Sequence, residues 1–309
     1  MTRLSECSKR ELSEMLADTG IVLDIGAASI RVRSDSPALA RALGTVYGEF
    51  PVLNHDAFCE VSASILRVGG ARRYFHPQVD FEVDGYRPFE PFPADTHLPL
   101  LEWGVNWTLA ERFNHCLLLH AGVVEKLGVA IVLPAIPGSG KSTLTAALML
   151  SGYRLLSDEF GVVRFDDGAL LPMLKGAALK NASIDVIQAR FPHARLGPSF
   201  PKTRKGTVAH LSPDAASVTR RHEPALPGLV VFPLYQAGVE TVLETMGRSQ
   251  AFSKLVVNSF NYEIAGPAGF AAACRLIDEC DCHRLIYSDL DSAIATIDRL
   301  TASVADRRG

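Results

Sequence analysis

Apolar residues recur along this chain in two rhythms, and the change from one to the other divides it. Over residues 3–18, Leu4, Leu12, Met15 and Leu16 stand at helical spacing and predict a short helix. Residues 21–25 and 29–33 predict two strands around Gly26-Ala27-Ala28, the signature of a hairpin. A helix follows over 37–47, opened by Pro37. Residues 59–68, 72–75 and 79–83 alternate as strands do, parted by Gly69-Gly70 and His76-Pro77, and Pro88, Pro91 and Pro93 then break regular structure. The first third is therefore expected to be an α+β domain, residues 1–100, built mainly from antiparallel hairpins.

Residues 98–113 carry both tryptophans at a helical period and predict an amphipathic helix bridging two domains, with the boundary near residue 100. In the second domain, 101–309, the strands lose their alternation. Residues 116–124 are an apolar run, and 128–133 is a β-branched one, as a central strand buried on both faces requires. A helix is predicted over 143–151, ending at Gly152, then a strand over 153–156. Strands at 228–232, 240–244 and 283–287 and helices at 249–257, 267–279 and 290–302 complete an α/β domain.

Composition narrows the partners. Hydrophobic residues are 48% and charged residues 21%, enough for a sizeable core without disulfides or a metal. A net charge of -3 calls for neither nucleic acid nor a membrane as partner. The polar start lacks a signal-peptide core, and no apolar run approaches the roughly 20 residues of a membrane span. A reducing cytoplasm, with all six cysteines as thiols, is the expected setting. Cys280-Asp281-Cys282-His283 does not have tetrahedral zinc spacing and reads as a surface helix-to-strand junction. His55, Asp56 and His76 read as surface turn residues.

The chemistry lies between the strand at 128–133 and the helix at 143–151. The intervening Ala135-Ile136-Pro137-Gly138-Ser139-Gly140-Lys141-Ser142 has the order of a phosphate-binding loop, with Ala135 in place of the usual first glycine. Gly138 and Gly140 allow backbone N–H groups to turn toward phosphate oxygens, and the helix start at Ser142 and Thr143 adds its partial positive charge. Lys141 suits the β- and γ-phosphates of ATP, and the Ser142 hydroxyl suits Mg²⁺. Pro137, Gly138, Ser139, Gly140, Lys141, Ser142 and Thr143 are the expected nucleotide contacts. The next strand ends in Asp158 and Glu159, paired acids placed for metal binding and for activating a nucleophile.

A phosphate loop followed by one helix and then a strand ending in two acids resembles the catalytic domain of bacterial HPr kinase/phosphorylase. That domain shares its fold with phosphoenolpyruvate carboxykinase, so the resemblance implies an α/β domain of that kind with a mixed sheet. The likeness spans about residues 115–290 and is most specific over 119–163, including Leu119-His120-Ala121-Gly122-Val123-Val124. It is closer still to the HPr-kinase-related kinases, which have a divergent N-terminal domain. It implies that Asp158 takes the proton from the acceptor hydroxyl, with His120 beside the catalytic acid. Glu159 stands where the family has a second Asp, and with Ser142 is the expected Mg²⁺ ligand. Lys180 replaces an arginine of a family signature whose glycines are missing here, which weighs against HPr itself as the acceptor. Lys202, Arg204 and Lys205 form a basic turn that is either a phosphate or acceptor contact or a solvated loop.

These readings converge on an ATP-dependent kinase acting on a hydroxyl, on a protein or peptide serine or on a small metabolite. The rival is a nucleotide-driven ATPase switch in which water replaces the acceptor. Acceptor specificity is expected from the first domain, and the resemblance implies a homo-oligomer.

Overall fold

The structure, a computed structural model, describes residues 2–70 and 72–308. The chain forms two compact units: Met1–Arg112 with Ala178–Val218, and Phe113–Ala177 with Thr219–Gly309. The helix with both tryptophans belongs to the first unit, which also takes in a 178–218 segment that a single cut near residue 100 would assign elsewhere.

The first unit opens with α1 (Lys9–Ala17), β1 (Ile21–Asp24), β2 (Ser29–Ser34) and α2 (Pro37–Val46). Ser8 caps α1: its hydroxyl accepts from Glu11 N at 3.2 Å, and the Glu11 carboxylate accepts from Ser8 N at 2.7 Å. β3 (Val61–Arg67), α3 (Arg72–Phe75), β4 (Gln78–Val83), β5 (Phe92–Pro93) and α4 (His97–Arg112) follow. The sheet runs β1-β2-β3-β4-β5. Its pairing is mainly antiparallel, as expected, with one exception: β2 and β3 are parallel with α2 as their crossover. The expected strand at 72–75 is instead the single turn α3. Four residues are too few for alternation to tell a strand from a helical turn, and Tyr74 and Phe75 are both exposed. α4 lies close on β4 because Gly104 has no side chain; a Cβ there would stand 2.4 Å from the Phe81 ring.

The second unit begins with β6 (Cys116–Lys126), β7 (Val129–Pro134), α5 (Lys141–Leu150), β8 (Arg154–Ser157), β9 (Phe160–Arg164) and β10 (Leu170–Leu171). Segment 178–218 then supplies the first unit with most of β11 (Ala177–Lys180), α6 (Ala182–Arg190), β12 (Phe200–Thr203), β13 (Gly206–Leu211) and α7 (Ala215–Thr219). The chain returns as β14 (Pro227–Tyr235), β15 (Val242–Thr245), α8 (Arg248–Val257), α9 (Tyr262–Glu279), β16 (Asp281–Tyr287) and α10 (Leu290–Arg308). α9 starts earlier than its apolar period suggests and kinks at Gly266, just before Pro267.

Its sheet is mixed and runs β10-β9-β6-β7-β14-β16-β15, with β8 also on β6. β7 is buried at every position between antiparallel β6 and parallel β14, as its unbroken β-branched run anticipates. One face of the sheet, including Leu119, Ala121, Val123, Ala130 and Val132, packs on Ala272, Ala273 and Leu276 of α9. The other face meets α5, where Gly122 of β6 admits Thr145; a Cβ at 122 would lie 2.1 Å from the Thr145 hydroxyl. The fold class is thus α/β with mixed sheets. The 280–283 stretch is the expected helix-to-strand junction, between α9 and β16, and Asp281 is exposed there, but Cys282 and His283 are buried inside β16, which is flanked by β14 and β15. No helix among the described residues is long and apolar enough to cross a membrane.

Candidate functional site

β7 delivers the chain to the 135–142 loop at the C-terminal end of the parallel β7-β14-β16 trio, the edge where open α/β sheets place ligands. Gly138 and Gly140 have φ of 89° and 87°, the left-handed conformation that glycine alone adopts without strain. Gly140 precedes the first turn of α5, and a side chain there would also collide with Tyr287, whose Oη is 2.5 Å from the Cβ position. Pro137 and Gly138 are exposed, Ser139 and Lys141 are buried, and Ser142 and Thr143 stand half-buried in the first turn of α5.

Lys141 joins the loop to the acid strand. Its Nζ donates to the Asp158 carbonyl oxygen and lies 3.7 Å from Asp158 Oδ1. Both side chains are buried, at 7% and 5% exposure, so the charges compensate one another where water cannot. Asp158 Oδ1 nevertheless accepts no hydrogen bond, and neither the Ser139 nor the Thr145 hydroxyl has a partner. A native core rarely leaves such atoms unsatisfied; Ser139 lies in the loop, Asp158 beside Lys141, and Thr145 in α5 against Gly122. The turn after β8 is held by Ser157, whose Oγ accepts from Glu159 N at 3.3 Å and Phe160 N at 3.0 Å.

His120 lies on β6, opposite Phe160 of β9 in register. Its Nε2 is 3.6 Å from Glu159 Oε1, and both side chains are partly exposed. The structure thus brings His120, Lys141, Asp158 and Glu159 to one end of the sheet. Among the described residues no group of three or more His, Cys, Asp or Glu is arranged to hold a metal ion. The Ser142 and Glu159 assignment to Mg²⁺ would therefore need phosphate oxygens to complete it.

Lys180, Lys202, Arg204 and Lys205 belong to the first unit, gathered by a three-stranded sheet of order β11-β13-β12. The expected loop at 201–207 is a hairpin there. Thr207 N donates to Asn181 Oδ1 at 3.0 Å, and the Arg204 guanidinium stands 5.1 Å from the Phe92 ring centre. The stretch 179–187 is the end of β11 followed by α6.

Sequence reasoning missed the residues that buttress the loop and His120. Tyr287 Oη donates to Gly140 O at 3.2 Å, and Tyr235 N donates to Ser139 O at 2.8 Å. His120 N donates to Asn258 O at 2.6 Å, and the Phe260 ring stands 5.6 Å from the imidazole. No local pattern marks these residues, because they reach the site from strands and turns more than 90 positions away. Scanned against protein-family models and compared with curated proteins, the sequence matches none.

Proposed function

We propose that the second unit is an HPr-kinase-like phosphotransferase that binds ATP at the 135–142 loop and transfers its γ-phosphoryl group to a hydroxyl. The observation that carries this reading is the buried Lys141–Asp158 pair at the mouth of a loop with two left-handed glycines. The orphaned Asp158 Oδ1 also fits an acceptor awaiting a proton. In this reading Gly138 and Gly140 bind phosphate oxygens through backbone N–H groups, with Pro137, Ser139 and Thr143 flanking them. Lys141 neutralises charge on the transferring group. Ser142 and Glu159 would hold Mg²⁺, which when bound supplies further neutralisation of phosphate charge. Asp158 takes the acceptor's hydroxyl proton as that oxygen forms its bond to the γ-phosphorus and the bond to the ADP oxygen breaks. His120 orients Glu159 at 3.6 Å. The acceptor is a protein or peptide serine or a small hydroxylated metabolite.

The test is a pair of substitutions measured by calorimetry and by transfer from γ-labelled ATP in cell lysate. Lys141→Ala removes ATP binding, whereas Asp158→Asn binds ATP and transfers nothing. Transfer by Asp158→Asn at the wild-type rate would refute the assigned base. Rapid ATP hydrolysis, indifferent to every added acceptor, would establish an ATPase instead.

A further inference from the structure

The geometry points to Tyr235 as the platform on which the base of the bound nucleotide stacks. This rests on the nucleotide-binding reading of the 135–142 loop and adds the part of the ligand that a phosphate loop cannot hold. β7 ends at Pro134, where the chain leaves the sheet for the loop, but the neighbouring parallel strand β14 continues to Tyr235. There it is fastened to the loop, with Tyr235 N donating to Ser139 O at 2.8 Å and its Cβ only 2.9 Å from where a Gly140 Cβ would stand. Tyr287 is the direct register partner of Tyr235 on β16. Tyr287 is buried at 2% exposure, and its ring meets that of Tyr235 edge-on at 5.9 Å between centres.

The two tyrosines divide the work. Burial raises the pKa of Tyr287, which keeps its hydroxyl protonated to donate to Gly140 O. Tyr235 is 50% exposed, although it ends a strand otherwise almost wholly buried. Its backbone is bonded to the loop while half of the residue stays open to solvent. That suits a stacking surface, which needs a fixed position and an accessible ring. A nucleotide whose phosphates sit on the glycine loop extends its sugar and base outward, and this ring borders that loop. Stacking does not read base edges, so ATP and GTP should both gain from it.

Affinities of the full chain for ATP, GTP and inorganic tripolyphosphate, measured by titration calorimetry, test this. Tyr235→Ala should weaken ATP and GTP by roughly 5- to 150-fold, the range for loss of one base–aromatic stack. Tripolyphosphate, which has no base, should bind Tyr235→Ala as it binds the wild type. Tyr235→Phe, which keeps the π-face, should bind all three as the wild type does. Unchanged ATP affinity in Tyr235→Ala would overturn the proposal. So would equal weakening of ATP and tripolyphosphate, since Tyr235 would then be supporting the loop. If the wild type binds neither ATP nor tripolyphosphate, the nucleotide reading itself fails, a result distinct from either.

Discussion

Arg154 and Glu125 hold the strand that presents Asp158, and separating them gives a sharp test of how that strand is anchored. They are register partners on β8 and β6, with side chains only 5% and 8% exposed, and Arg154 Nε donates to Glu125 Oε2 at 2.8 Å. Arg154 Nη1 also donates to Glu223 O at 2.9 Å, and Glu125 Oε1 accepts from Gly128 N at 2.9 Å. Arg154→Met leaves the Glu125 carboxylate buried with one backbone donor and Arg220, which is half exposed, at 3.3 Å. Breaking a buried pair costs about 3–5 kcal/mol, and Arg220 places this case near the lower end. Glu125→Leu combined with Arg154→Met removes both charges and should return to within about 2 kcal/mol of the wild type. The assay is urea unfolding followed by far-ultraviolet circular dichroism, with hydrogen exchange of β6 and β8 peptides reporting the second unit alone. Both tryptophans, Trp103 and Trp107, lie in the first unit, so their fluorescence serves as the internal control. A single variant within about 0.5 kcal/mol of the wild type, or a double variant no better than the single, would refute the argument.

Two further outcomes follow from the packing and the burial. Gly122→Ala places a methyl 2.1 Å from the Thr145 hydroxyl and should destabilise the second unit by about 1–3 kcal/mol. Adding Thr145→Ala should recover most of that, since the hydroxyl has no partner to lose; thermal melts of the four proteins decide it. Burial lowers the pKa of His97 and of His283. Below the unfolded value of about 6.5 the unfolded chain takes up protons that the native state refuses, so stability falls as pH drops through that value toward each native pKa. The loss is at most about 1.4 kcal/mol per histidine per pH unit. Unfolding free energies at pH 7.5 and 5.5 should therefore differ less in the His97→Gln/His283→Leu variant, and an equal difference would refute the assignment.

How far the sequence was legible differs between the two units. Most elements were read within a few residues, because a strand buried on both faces or an amphipathic helix writes its environment into consecutive positions. Short range and partnership limit this reading: four residues at 72–75 do not separate a strand from a helical turn, and the parallel β2–β3 pairing leaves no mark in either strand. The hairpin at 201–207 was foreseen as a turn, but its union with Asn181 depends on a sheet assembled from separate stretches.

The sequence by itself determined the 135–142 loop, since strand, glycines, Lys141 and helix are contiguous and each owes its conformation to its neighbours. It also placed Asp158 and Glu159 at a strand end. Only the tertiary structure decided that Lys141 folds onto Asp158 in a dry setting, that His120 stands beside Glu159, and that Tyr235 and Tyr287 brace the loop from two other strands. The physical reason is range. Backbone conformation follows from local sterics and periodicity, whereas burial, ion pairing and ring contacts depend on which distant strands become neighbours, and that is settled by the packing of the whole sheet.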